Sequence, residues 1–177
     1  IKYSTMRNFK QLMLFIMIGS LVTLSSCSKS DDGGDGGDAA AGTITAKVNG
    51  SQFTSLEITS FASLTTASNQ TTLVMQGNTQ SQAINMIING YNGVGSYELS
   101  DSNVFIIASY IEPNISNPLN SQTWNAPFQN SGVVGEINVS EQTSTNIKGT
   151  FSFTCKNSND GSTKNITRGS FNLEIMN

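Results

Sequence analysis

From position 43 onward the apolar residues fall at alternate positions. Thr43-Ile44-Thr45-Ala46-Lys47-Val48 alternates polar with small or apolar side chains, Asn49-Gly50 supplies two residues that tolerate positive φ, and Ser51–Ile58 leads away. That arrangement predicts a β-hairpin closed by a type I′ turn. Strand-like segments recur at Phe61–Thr66, Thr71–Gln76, Ala83–Asn89, Ser96–Leu99, Val104–Ile111, Val133–Ser140, Ile147–Lys156 and Ile166–Ile175, separated by clusters of Asn, Gly, Ser and Pro. No stretch of this region sustains apolar residues at i, i+3, i+4 and i+7, and β-branched and aromatic residues dominate its apolar set, so helix is expected to be minor. The pattern predicts an all-β domain over residues 43–177, a single antiparallel β-sandwich or partly open β-barrel of about nine or ten strands. About 135 residues suffice for one two-layer domain and are too few for two.

Alternation also assigns faces. Ile84, Met86 and Ile88 share one; so do Val133, Ile137 and Val139; Ile147, Phe151, Phe153 and Cys155; and Phe171, Leu173 and Ile175. These are the expected core residues. Val104-Phe105-Ile106-Ile107-Ala108 is apolar on both parities, which predicts a central strand covered on both sides, inside a sandwich or beside a ligand cavity. Gly149 and Gly169 stand just ahead of Phe-centred strands, where a glycine permits a bulge or a close approach of backbones.

The pattern before position 43 is of another kind. A short basic stretch at Met6–Lys10 precedes an apolar run, Leu12–Leu24, too short for a stable transmembrane helix, and together they read as a secretory signal peptide over residues 1–26. Leu24-Ser25-Ser26-Cys27 resembles the bacterial lipobox, which implies diacylglycerol on Cys27 and cleavage just ahead of it. Acyl chains contribute about 0.8 kcal/mol per buried CH₂, so two or three of them hold a protein on a bilayer almost permanently. Ser28–Gly42 carries four Asp and five Gly and no large apolar side chain. Residues 27–42 are therefore expected to form a lipidated Cys and a flexible acidic tether, with a reach of about 20–23 Å. Within it Gly33–Asp38 matches one calcium-binding β-roll repeat, but a single copy cannot build the stacked site. Lys29-Ser30-Asp31-Asp32 resembles the surface-export signal of Bacteroidetes-type lipoproteins, and Ser28 is not the Asp associated with inner-membrane retention. Both resemblances imply an outer-membrane lipoprotein facing the cell exterior; a periplasm-facing anchor with an acidic spacer is the alternative.

The strands themselves carry a further resemblance. Ile44-Thr45-Ala46-Lys47-Val48-Asn49-Gly50, then Gly95-Ser96-Tyr97, Trp124 ahead of Gly135–Val139, Ile147-Lys148-Gly149-Thr150-Phe151-Ser152-Phe153 and Ile166-Thr167-Arg168-Gly169-Ser170-Phe171 together resemble a family of Bacteroidetes lipoprotein domains of unknown function. The resemblance implies an antiparallel β domain on a lipid anchor, and it brings no activity and no catalytic residue with it.

Composition narrows the chemistry. The chain holds no histidine, which removes Ser-His-Asp and Cys-His catalysis and every His-ligated metal site. Lipidation of Cys27 leaves Cys155 as the remaining thiol, so no intrachain disulfide is expected, and period 2 places Cys155 among the core phenylalanines as a small buried hydrophobe. No nucleotide, zinc or nucleophile-elbow motif is present, and no catalytic residue, metal ligand set or cofactor is assigned. Beyond the tether the bases are Lys47, Lys148, Lys156, Lys164 and Arg168, against eight acids, so nucleic acid is not an expected partner. Glu136 and Glu174 are expected on the solvent face, and Asp101 and Asp160 in turns. Rings near turns are the remaining candidates: Trp124, Tyr91 and Tyr110, with Tyr97 and Phe128 nearby, are the residues that would stack on sugar faces, unless they close the core instead. The leading expectation is a non-enzymatic binding module for a glycan or a protein ligand. An apolar-ligand carrier with a barrel cavity and a glycan-active enzyme using two carboxylates are the alternatives.

Overall fold

Asn49 and Gly50 have φ of 48° and 86°, the left-handed pair that a two-residue hairpin turn requires. They join β1 (Thr43–Val48) to β2 (Ser51–Thr54) in antiparallel register. The computed structural model describes residues 38–176; the expected signal peptide, Cys27 and the expected tether up to residue 37 lie outside the described residues. The chain continues through β3 (Phe61–Ala67), β4 (Gln70–Asn78), β5 (Ala83–Asn89), β6 (Gly95–Ser100), β7 (Ile106–Glu112), β8 (Gln122–Ala126), β9 (Val133–Gln142), β10 (Asn146–Lys156) and β11 (Thr163–Met176). Among the described residues helix is confined to two single 3-10 turns, Glu57–Thr59 and Pro118–Asn120.

The strands form two layers. One is the antiparallel series β3-β4-β5-β7-β8. The other is β2-β1-β11-β10-β9-β6, also antiparallel throughout. The layers are stitched together at two seams: β11 pairs with β3 in parallel through Ile175↔Ala62 and Met176↔Ser63, and β8 meets β10 through the single pair Asn125↔Lys156. Sandwich and barrel, which the sequence leaves open, are thus both present, as two packed layers closed into a ring where the edge strands β3 and β8 of the first meet β11 and β10 of the second.

Leu73, Met75, Ile84, Met86, Ile88 and Tyr110 of the first layer pack against Ile44, Phe53, Ile137, Ile147, Phe171 and Leu173 of the second, all of them buried. Each such side chain contributes roughly 1.5–3 kcal/mol relative to exposure. Cys155 is buried and free, so this packing carries the described domain without help from a disulfide. Gly135, Gly149 and Gly169 let β9, β10 and β11 approach: a Cβ on Gly135 would collide with the Ser152 carbonyl oxygen, one on Gly149 with that of Asn138, and one on Gly169 would lie 2.5 Å from that of Phe151. Beside Gly169 the register steps from Phe151↔Gly169 to Phe153↔Ile166, and Arg168 has φ 51°, so β11 carries one extra residue there.

Four expectations need correction. The strands number eleven, because β8 offers only one large apolar residue, Trp124, and lacks the alternation that marks the others. The segment Ser51–Ile58 is strand only to Thr54, then turns. Val133 is 62% exposed rather than core: Leu99 pairs with Gly135 but Ser100 with Val133, so an extra residue at Val134 reverses its face. Finally, Val104–Ala108 is covered on one side. Ile106 and Ala108 face the core, while Val104 and Phe105 precede β7 in a turn at 69% and 58% exposure.

Candidate functional site

Tyr110 and Trp124 are register partners on β7 and β8, with ring centroids 5.7 Å apart. Both face inward at the seam between β8 and β10, and both are buried. Lys164, at the start of β11, reaches across that seam: its Nζ stands 4.5 Å from the Trp124 ring centroid and 5.4 Å from that of Tyr110, and donates to Glu112 Oε1 at 2.8 Å. The Tyr110 hydroxyl donates to the same oxygen at 2.9 Å, and Trp124 Nε1 donates to Ser162 Oγ at 2.9 Å. Asn157, also buried, donates to Gln122 Oε1 at 2.8 Å across the same junction. Burial, then the bond to Glu112, holds the Tyr110 phenol well above its ordinary value. Burial also pushes the neighbouring Cys155 thiol up to about 12. That is the opposite of what a nucleophilic thiol needs. The cluster has the chemistry of a lock: every polar tip is matched, and the ring faces are occupied by Lys164 and by each other.

Tyr91 lies elsewhere, just beyond the end of β5. Its ring is buried against Tyr97 at 5.5 Å, and its hydroxyl donates to Gln142 Oε1 of β9 at 2.6 Å. Burial, then the charge of Tyr97, raises its phenol to about 12. Of the three candidate aromatics, then, the structure brings together Trp124 and Tyr110, and all three rings face inward. Phe128 sits under Lys156, whose Nζ is 5.7 Å from its centroid.

Apart from Glu112 on β7, the acids disperse over the other layer and the turns. Glu136 and Glu174 are exposed, as alternation predicts, and Asp160 caps a turn by accepting from Ser162 N at 2.8 Å; the Ser162 hydroxyl, and then that backbone bond, hold its carboxyl below the usual range. Glu98 and Glu136 are direct cross-strand partners on the open outer surface of β6 and β9. Among the described residues no three metal-ligating side chains converge.

The two outer faces differ in charge. Among the residues of β3, β4, β5, β7 and β8 the one charged side chain is Glu112, and it is turned into the seam. The outer face of that layer is therefore uncharged. Across it runs the row Phe61–Gln76–Asn85–Ser109–Asn125, and beside it Ser63–Val74–Ile87–Ile107. Amides and hydroxyls lie next to a low apolar ridge, which ends at the exposed Phe105. This face was not legible in advance: its signal is the absence of charge at outward positions, readable only once the register is known.

A family model described as a domain of unknown function (DUF6252) matches residues 41–173. The chain belongs to the DUF6252 family. The DUF6252 match begins two residues before β1 and ends within β11, so it takes in both layers and the β8–β10 seam and stops just short of Ile175 and Met176, which pair with β3. No curated protein and no solved structure matches the chain.

Proposed function

We propose that this DUF6252 chain is a non-enzymatic binding module, held on the outer membrane by acyl chains on Cys27 with its domain toward the cell exterior, and that it takes an uncharged ligand, a glycan or a protein surface, on the outer face of β3-β4-β5-β7-β8. The observation that carries this reading is the absence of charge among the outward residues of these five strands, beside a second layer that bears Lys47, Glu98, Glu136, Glu141, Lys148, Lys156, Arg168 and Glu174 on its strands. A ligand without charge meets no ion among the outward residues of these strands, the nearest being Lys156 at the border, which pairs with Asn125 across the seam and stands over the Phe128 ring, and amide and hydroxyl groups next to apolar side chains suit a partner that is polar and apolar by turns. The lipobox resemblance at Leu24–Cys27 supports the anchor. The carrier alternative loses the observation that motivated it, since the strand at Val104–Ala108 is covered on one side only.

The test is a glycan array and a pull-down from extracellular material, run with the parent protein and with Ser109→Lys. The substitution places an ammonium in the middle of the face at a half-buried position. Binding is expected to fall with the melting temperature little changed; equal binding by parent and variant would rule out this face. Mass analysis of the membrane-extracted protein should find acyl chains on an N-terminal Cys27, and an unmodified Cys27 would rule out the anchor.

A further inference from the structure

The second layer carries a concave site of its own, and it does not depend on the reading above. A groove of about 290 Å³ lies on the outer side of β9, β10 and β11, at the lower end of the volumes typical of small-molecule sites. An outer sheet face is ordinarily flat, and two local features make this one concave. On one side the segment Asp38–Gly42 is laid along β11: Gly42 N donates to Asn172 O at 2.7 Å, Asn172 Nδ2 to Ala39 O at 3.4 Å, and Thr43 Oγ1 to Ala40 O at 2.7 Å. On the other side β9 carries one extra residue, since Lys148 pairs with Glu141 but Gly149 with Val139. That bulge leaves Glu141 as the far wall, ion-paired to Lys148 at 3.3 Å.

The lining selects its ligand by exclusion. Glu141 and Lys148 neutralise each other as an ion pair, which leaves Asp38 as the one uncompensated charge of the lining: it disfavours an anion, and a single exposed carboxylate is too little to hold a cation. Thr150 and Asn172 give the floor a hydroxyl and an amide, which leave nothing for an apolar guest to gain. What remains is a small uncharged molecule with several hydroxyl groups: carboxylates accept from them, and the ammonium and amide donate to them. We infer that this groove binds a single neutral sugar ring, free or at the end of a chain, and that Asp38 and Ala39 form one wall of the site.

The test uses the intact protein in a detergent without sugar head groups, titrated by NMR with glucose, galactose and N-acetylglucosamine, and with inorganic phosphate and tetramethylammonium as charged probes. At least one sugar is expected to move the Gly149, Thr150 and Asn172 amide signals while the charged probes do not. Glu141→Gln combined with Thr150→Val, both at exposed positions, should weaken that sugar about tenfold or more. Ser109→Lys, on the opposite layer, should leave it unchanged, so failure of the face and failure of the groove are told apart. The inference is overturned if all three sugars leave those signals in place, if phosphate moves them instead, or if the double variant binds as the parent does.

Discussion

Asn85 shows what one side chain can reveal about the face it sits on. Its Oδ1 is buried without a hydrogen-bond partner, alone in this among the described residues, although Gln76 and Ser109 flank it in register. An unmatched buried acceptor costs about 1–3 kcal/mol. Asn85→Val removes the acceptor and adds a better strand former, so a rise of about 1 kcal/mol in unfolding free energy is expected from urea titration. Tyr91 makes a prediction in the other direction. Its phenol is raised from 10.0 to about 12 by burial, so between those values the unfolded chain loses its proton while the folded one keeps it, and stability falls as pH rises. Tyr91→Phe should make that alkaline decline shallower in a series of melts from pH 10 to 12, the part that remains coming from Tyr110 and Cys155, which burial also raises. These rings were visible in the sequence as candidates, but their direction was not. Tyr91, Tyr110 and Trp124 sit near turns, and only the seam between β8 and β10 and the bond from Tyr91 to Gln142 turn them inward.

At the level of elements the seam between β8 and β10 stands out, because it rests on a single residue pair plus the Lys164 cluster. The two ion pairs of the described chain therefore differ in consequence. Lys164 is largely sheltered over two rings, so Lys164→Ala should cost about 1–3 kcal/mol and depend weakly on salt. Lys148 is exposed, and Lys148→Ala should cost under about 1 kcal/mol, the difference vanishing at high salt. Thermal melts at low and high ionic strength decide between these outcomes. The sequence revealed ten of the eleven strands because their alternation is strong. It missed β8, whose short stretch leans on Trp124, and it misplaced Val133, since a one-residue bulge leaves no mark in a period-2 pattern. The hairpin at Asn49-Gly50 was legible because its turn chemistry is local, whereas the pairing of β11 with both β1 and β10 joins distant parts of the chain.

For the molecule as a whole β11 is the keystone. It pairs with β1, β10 and β3, and so ties the first strand to the last and one layer to the other. A chain ending at Asn157 would leave β1 paired with β2 alone, strip β10 of its longest ladder and uncover Ile44 and Phe151. It should fail to fold, giving a disordered circular dichroism spectrum and rapid digestion by protease, where shortening a chain at a mere edge would leave a folded remainder. The same closure between distant segments predicts folding on the millisecond-to-second scale, slow for a chain of this size, by stopped-flow fluorescence of Trp124.

The seating of residues 39–42 on β11, with β1 gripped by β2 and β11 on its two sides, has a mechanical meaning. In an antiparallel ladder the bonds lie across the strands, so tension drawn along β1 from its leading end strains both ladders at once instead of peeling them bond by bond. A molecule suspended by that end would meet drag from a flowing medium with a shear joint, the sturdier of the two ways to hang a sheet.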